Sequence, residues 1–303
     1  MTDRAVTGVF ATWTDLTVAG GPVRHYRAGD TGPPVLLLHG GMLDTAAGVW
    51  RRVAGDLAAD HRVHVVDLPR HGGSRPWEGL LDDAFYRAFL GELLDALGLE
   101  RVALVGLSLG AGVAVGFALD HPERVDALVA IGPGGIGRRR PAQLLTWLAL
   151  RTPGLLRLTS RWLARRPAVV RRSMAGNLVA GETTEGFEEI VALVVQEARA
   201  KAAHGEPALD DWMVRAYGPF AMALDHLPRL PGLRVPSLWV RGDRDPLVGH
   251  EELTAAAAAA AAAPGARLTT IRDAGHIVTY DQPDAASSLV RGFLAASRGG
   301  GPG

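Results

Sequence analysis

The chain has 303 residues and no cysteine, which excludes disulfides, thiolate metal sites and a cysteine nucleophile. Lysine is almost as scarce. Lys201 stands alone among 32 basic residues, so arginine carries nearly all of the positive charge. Acidic residues also number 32, and a formal charge of zero offers no global attraction for nucleic acid or a membrane surface. Long hydrophobic runs are missing as well. None reaches the roughly 18 residues needed to span a bilayer, and the nine alanines Ala255–Ala263 read as helix. Met1 to Val18 is polar and lacks the apolar stretch of a signal peptide, so the expected compartment is the cytoplasm. The arginine, alanine and glycine load is that of a GC-rich bacterial genome. Apolar residues are what the chain has in plenty: at 48% hydrophobic it can build a large core.

The rest is arranged around Gly106-Leu107-Ser108-Leu109-Gly110. The apolar run Val102–Val105 leads into it as a buried strand, and Ala111 to Leu119 follows as a helix rich in small residues. In that strand–turn–helix setting, G-x-S-x-G presents its serine at a strained corner above the sheet edge. Side chains at the two glycine positions would strike the neighbouring strand and helix. The helix N-terminus behind the serine favours developing negative charge.

Elsewhere the pattern is periodic. Thr12–Val18 and Val23–Ala28 read as antiparallel strands, and Pro34–Leu38, Arg62–Val66 and Val125–Ile131 as further strands. Helices are expected over Thr45–Leu57 and Asp82–Leu97, the latter with Phe85, Phe89, Leu93, Leu94 and Leu97 on one face. From Gly132 to about Leu230 the alternation stops, leaving only helical stretches broken by Pro141, Pro153, Pro167, Gly181 and Pro207. It resumes with the strand Ser237–Val240, the helix Glu251–Ala263, the strand Arg267–Ile271 and a last helix over Pro283–Ala296. Such alternation makes an α/β fold with a mostly parallel sheet and helices on both faces. The long helical insertion then sits over the strand C-terminal ends, where such sheets bind ligands.

A nucleophilic serine needs a base, a carboxylate to orient that base, and donors for an oxyanion. In sheets of this type the chain order is Ser, then acid, then His. After Ser108 the next acid-bearing strand end is Gly242-Asp243-Arg244-Asp245, which leaves Asp243 and Asp245 open. Of ten histidines, only His276, in Asp273-Ala274-Gly275-His276, follows both a strand and a glycine at that edge.

Over roughly residues 12 to 296 the chain resembles the α/β-hydrolase superfamily, in its cap-bearing branch. Four motifs in order carry the resemblance: His39-Gly40-Gly41, Gly106 to Gly110, Gly242 to Asp245, and Gly275-His276. Asp67 to Ser74 is similar to that family's D-x-P-G-x-G-x-S loop, with Arg70 in place of the first glycine. The resemblance implies an eight-stranded core over 1–133 and 231–297 and a helical cap over 134–230; the glycine-rich stretch 298–303 is expected to be a disordered tail. It implies a Ser108–Asp245–His276 triad, with Asp243 as the second choice of acid. The oxyanion donors would be the backbone N–H groups of Leu109 and Gly41, with Met42 second, and His39 would hold their loop. No cofactor or metal is implied, and the partner is a small-molecule substrate.

Gly132-Pro133-Gly134-Gly135-Ile136-Gly137 matches the dinucleotide pattern G-x-G-x-x-G. That pattern needs an immediate helix and an acid about 20 residues on, and no acid stands between Asp126 and Glu182. These glycines are expected to form the hinge into the cap. Residues 127–181 hold ten arginines beside Trp147, Leu148, Leu155, Leu156, Leu158, Trp162, Leu163, Val169 and Val170. One reading lays the apolar side on the sheet and leaves the arginines in water; the other has them guide an anionic or amphiphilic substrate. Assembly as a homodimer stays open.

On this scaffold the leading function is cleavage of a small or medium apolar ester, lactone or thioester. The alternatives are a C–C bond hydrolase, a lyase, a haloperoxidase-like enzyme or a biosynthetic cyclase, between which fold does not choose. A further alternative is a ligand-binding receptor or pseudo-enzyme that keeps the triad. Haloalkane dehalogenases and epoxide hydrolases of the superfamily carry aspartate at the elbow, and Ser108 argues against both.

Overall fold

The computed structural model describes residues 8–263 and 265–298. The aliphatic runs become eight strands: β1 Thr14–Val18, β2 Gly21–Ala28, β3 Pro34–Leu38, β4 Arg62–Val66, β5 Val102–Leu107, β6 Val125–Ile131, β7 Ser237–Gly242 and β8 Arg267–Ile271. They form one sheet in the order β1-β2-β4-β3-β5-β6-β7-β8. β2 pairs antiparallel with β1 and β4, and all other pairs are parallel. The wholly buried β5 lies near the middle, because a strand covered on both faces must be apolar along its whole length. The first hairpin turns at Ala19 and Gly20, both at positive φ, one residue earlier than the Gly20-Gly21-Pro22 signal implied.

Helix starts follow capping chemistry. Asp82 accepts the Phe85 N–H at the head of the helix Asp83–Ala96, and Thr45 accepts the Gly48 N–H at the head of Ala46–Val49. The single helix expected over Thr45–Leu57 is instead two, Ala46–Val49 and Val53–Leu57, parted where Trp50 turns out of helical geometry and is fully buried. Arg298, placed in the tail by sequence, closes the last helix Pro283–Arg298; residues 299–303 lie outside the described residues.

The core is double, one cluster on each sheet face. Between β6 and β7 five α-helices intervene: Gln143–Arg151, Leu155–Ala164, Pro167–Asn177, Phe187–Ala203 and Asp211–Ala216. Pro167–Asn177 and Phe187–Ala203 join one core cluster through Val170, Met174, Phe187, Ile190 and Val194. The first two helices behave differently. Leu148, Leu155, Leu158 and Trp162, expected to lie on the sheet, are exposed. Periodicity shows that a helix has an apolar face, but only packing shows what covers it. Among the described residues no helix is long and apolar enough to cross a membrane.

Candidate active site

β5 ends in a turn tight enough to need both of its glycines. A Cβ on Gly106 would lie 2.5 Å from Ala111 Cα, and one on Gly110 would lie 2.5 Å from the carbonyl oxygens of Leu38 and His39. Between them Ser108 takes φ 53° and ψ −111°, outside the regions open to L-residues. The strain is held by neighbours. Ser108 N–H donates to Ile131 O on β6, and its carbonyl accepts from Gly112 and Gly134.

The β7 and β8 ends deliver the acid and the imidazole. Gly242 lets the two loops meet, because a Cβ there would strike the Ala274 and Gly275 carbonyls. His276 Nδ1–H donates to Asp245 Oδ2 at 2.9 Å, and Asp245 Oδ1 accepts the N–H groups of Leu247 and Val248 at 2.8 and 3.1 Å. Burial pushes the Asp245 carboxyl up, but the His276 ring and those two N–H groups outweigh it and hold it below the ordinary range. With Nδ1 committed, Nε2 is the ring atom left to take a proton. It is buried and makes no hydrogen bond among the described residues, to the Ser108 hydroxyl or to any other group. Asp243 points elsewhere and accepts the Ala274 N–H at 3.2 Å.

Ser108 and His276 open onto one cavity of ≈ 160 Å³. Leu109, Trp212, Met213, Ala216, Met222 and Val248 give it apolar walls, and Gly132 to Gly135 form another side. Gly132 stands at φ +48°, and a Cβ there would lie 3.1 Å from the His276 ring. Arg140 is the one ionic residue besides His276 in that lining, and its guanidinium is taken by Glu252 at 2.5 Å and by the Arg139 and Ile136 carbonyls.

The β3 loop passes beside Ser108. His39 is buried, accepting the Leu68 N–H on Nε2 and donating from Nδ1 to Gly40 O. Met42, at φ +62°, donates its N–H to Asp210 Oδ2 at 2.6 Å, so that group is already engaged. The N–H groups of Gly41 and Leu109 have no acceptor among the described residues. The loop after β4 is tied by Asp67, which accepts from Ala46, Gly73 and Tyr26, and by Ser74, which donates to Asp67 O. Arg70, replacing a glycine, takes φ +65° and is held by Asp211 and by the Trp77 and Gly79 carbonyls.

Sequence reading missed four polar groups here. Asp210 sits buried with Lys201 Nζ at 3.1 Å, His71 Nε2 at 2.9 Å and the Met42 N–H on its two oxygens. Burial raises its carboxyl, yet Lys201 and His71 bring it well below the usual range. Asp44 lies against Gly40: a Cβ there would collide with its Oδ2 and would lie 3.4 Å from Ser108 Cβ. Desolvation pushes this carboxyl up to about 7, against the opposing pull of His276 and His71. No local pattern marks these residues in the sequence, because their burial depends on segments far apart in the chain.

This sheet order with a serine at the β5 corner is that of a hydrolase. A family model for the alpha/beta hydrolase fold matches residues 33–283, and the chain belongs to that family. An uncharacterized protein of Mycobacterium tuberculosis (strain ATCC 25618 / H37Rv) is 30% identical over 281 residues, which cover 89% of this chain and 78% of that one. A 2-hydroxy-6-oxo-6-phenylhexa-2,4-dienoate hydrolase of Comamonas testosteroni is 28% identical, covering 89% and 90%. Among solved structures, a thermophilic esterase of Thermogutta terrifontis superposes with TM-score 0.72 at 24% identity, covering 94% of this chain and 99% of that one.

Proposed function

We propose that the chain is a serine hydrolase of neutral, apolar esters, lactones or thioesters, acting through an acyl-enzyme on Ser108. His276 Nε2 takes the hydroxyl proton while Ser108 Oγ attacks the carbonyl carbon. The N–H groups of Gly41 and Leu109 receive the developing oxyanion. His276 then passes its proton to the leaving group, and water, deprotonated by the same nitrogen, releases the acid. Asp245 fixes the imidazole tautomer and stabilises the imidazolium. Residues 1–133 and 231–297 act as the hydrolase core, and 134–230 act as the cap that roofs the cavity.

One observation carries the preference for an uncharged substrate. The cavity beside Ser108 has mostly apolar walls, and the one guanidinium among its described lining residues already holds Glu252 and two carbonyls. A second reading, hydrolysis of a C–C bond in a dienoate, is favoured by the Comamonas testosteroni relative. It would have Arg140, whose charge Glu252 already balances, meet the substrate carboxylate.

The two readings separate in one assay pair. p-Nitrophenyl butyrate should be turned over, with turnover and fluorophosphonate labelling both lost in Ser108→Ala. Bleaching of the dienoate chromophore without ester turnover would transfer the assignment to the second reading. Neither activity, with no labelling of Ser108, would leave a ligand-binding protein.

A further inference from the structure

The helices Gln143–Arg151 and Leu155–Ala164 each carry an apolar side that is exposed among the described residues. Leu144, Leu145 and Leu148 share one side of the first helix. Leu155, Leu158 and Trp162, at spacing i, i+3 and i+7, share one side of the second. Leu145 is 70% exposed, Leu158 63% and Trp162 46%. The second helix already packs its other side, with buried Ser160, against Phe187–Ala203, so the exposed stripe is not a misplaced core face.

Along the segment that carries this stripe the charge has one sign. Residues 127–181 contain no acid. Arg157, Arg161, Arg165 and Arg166 are exposed and form no ion pair among the described residues, whereas Arg140 and Arg171 reach acids of other segments. Arg161, Arg165 and Arg166 line a surface depression together with Leu158 and Trp162, so the guanidinium groups border the apolar ridge directly.

We propose that this face docks on an anionic lipid surface, with Leu145, Leu158 and Trp162 entering the acyl boundary and the arginines meeting lipid phosphates. Leucine and tryptophan on one side, flanked by cations, are what an interfacial helix requires. Charge complementarity selects the occupant. A second copy of the chain would bring two arginine-rich faces together, while an anionic bilayer supplies both hydrocarbon and counter-charge. The geometry also points toward the site. Gln143, which opens the first helix, donates to Gly218 O at 2.8 Å, and the nearby Tyr217 and Met222 line the cavity beside Ser108. A docked molecule would hold that cavity close to the lipid.

The test is vesicle flotation of the full chain, which reads binding without turnover and is independent of the chemistry at Ser108. Protein should float with phosphatidylcholine vesicles containing one-third phosphatidylglycerol, should stay behind with pure phosphatidylcholine, and should be released by molar salt. Arg161→Gln and Arg165→Gln should each lower the partition coefficient about fivefold. Leu158→Ser with Trp162→Ser should abolish flotation while leaving circular dichroism and any turnover of a water-soluble ester unchanged. No flotation of the wild-type protein, or equal flotation of the wild type and these variants, overturns the proposal. So does a dimer in light scattering that Leu158→Ser dissociates, which would assign the face to a second copy.

Discussion

The Met42 N–H donates to Asp210 Oδ2 at 2.6 Å, joining the β3 loop beside Ser108 to the segment inserted between β6 and β7, 168 positions away. The same carboxylate holds Lys201 and His71 and is almost wholly buried. A loop proposed to stabilise an oxyanion is thus fixed by a buried ion cluster, the kind of anchoring that preorganised donors need.

Asp210→Asn should therefore act on rate and stability together. The ester kcat should fall with little change in KM, because the Gly41–Met42 backbone loses its anchor. Leaving Lys201 buried without its anion should cost about 3–5 kcal/mol in a denaturant titration. Pairing Asp210→Asn with Lys201→Met should restore most of the stability and none of the kcat. Recovery of both would reduce the cluster to packing.

The two acids after β7 should part company. Asp245→Asn removes the acceptor that sets the His276 tautomer, and kcat should fall about 10⁴-fold with the fold intact. Asp243→Asn keeps an oxygen that can accept the Ala274 N–H, so stability should change by less than about 1 kcal/mol and ester turnover should stay within a few-fold of wild type. Steady-state kinetics on the two variants decides between them.

Asp44 should write itself into the pH profile. Its carboxyl ionises near 7 in the folded protein, against about 4 in an unfolded chain. Between these values the unfolded state is charged while the native group is neutral, so unfolding releases a proton and stability falls as pH rises through this window. Asp44→Asn should flatten that loss in melts between about pH 4 and 7. The anion formed near pH 7 sits beside Ser108 and opposes an oxyanion. The variant should accordingly lose one ionisation near neutrality from its kcat/KM profile. An unchanged profile would remove Asp44 from the site's electrostatics.

Gly106→Ala and Gly110→Ala should each destabilise the protein by about 1–3 kcal/mol or more, because the added methyl meets backbone rather than a yielding side chain. Urea midpoints measure it. A substitution tolerated at both positions would contradict the closeness of the β5 corner.

Much of the framework was legible because it rests on local pattern. The run Val102–Val105 and the glycines at 106 and 110 depend only on neighbours in sequence, and the order serine, acid, histidine can be read along the chain. The structure sets Ser108 and His276 on one cavity and Asp245 against the imidazole. The Asp44 carboxyl was not legible, because its strength as an acid depends on the groups folded around it. Nor was the outward turn of Leu158 and Trp162, since an apolar stripe has the same period whether protein or another phase covers it.

By itself, then, the sequence determined the strand-and-helix rhythm, the sharp turn at Ser108 and the supply of side chains after β7 and β8, all of which follow from backbone sterics and hydrophobic period. Only the tertiary structure decided which acid faces His276, which N–H groups stay unengaged, and that Lys201 and Asp210 clamp the loop beside Ser108. Those outcomes turn on distances of a few ångströms between residues far apart in the chain. Burial sets the charge and hydrogen-bonding of such groups once the chain has closed around them.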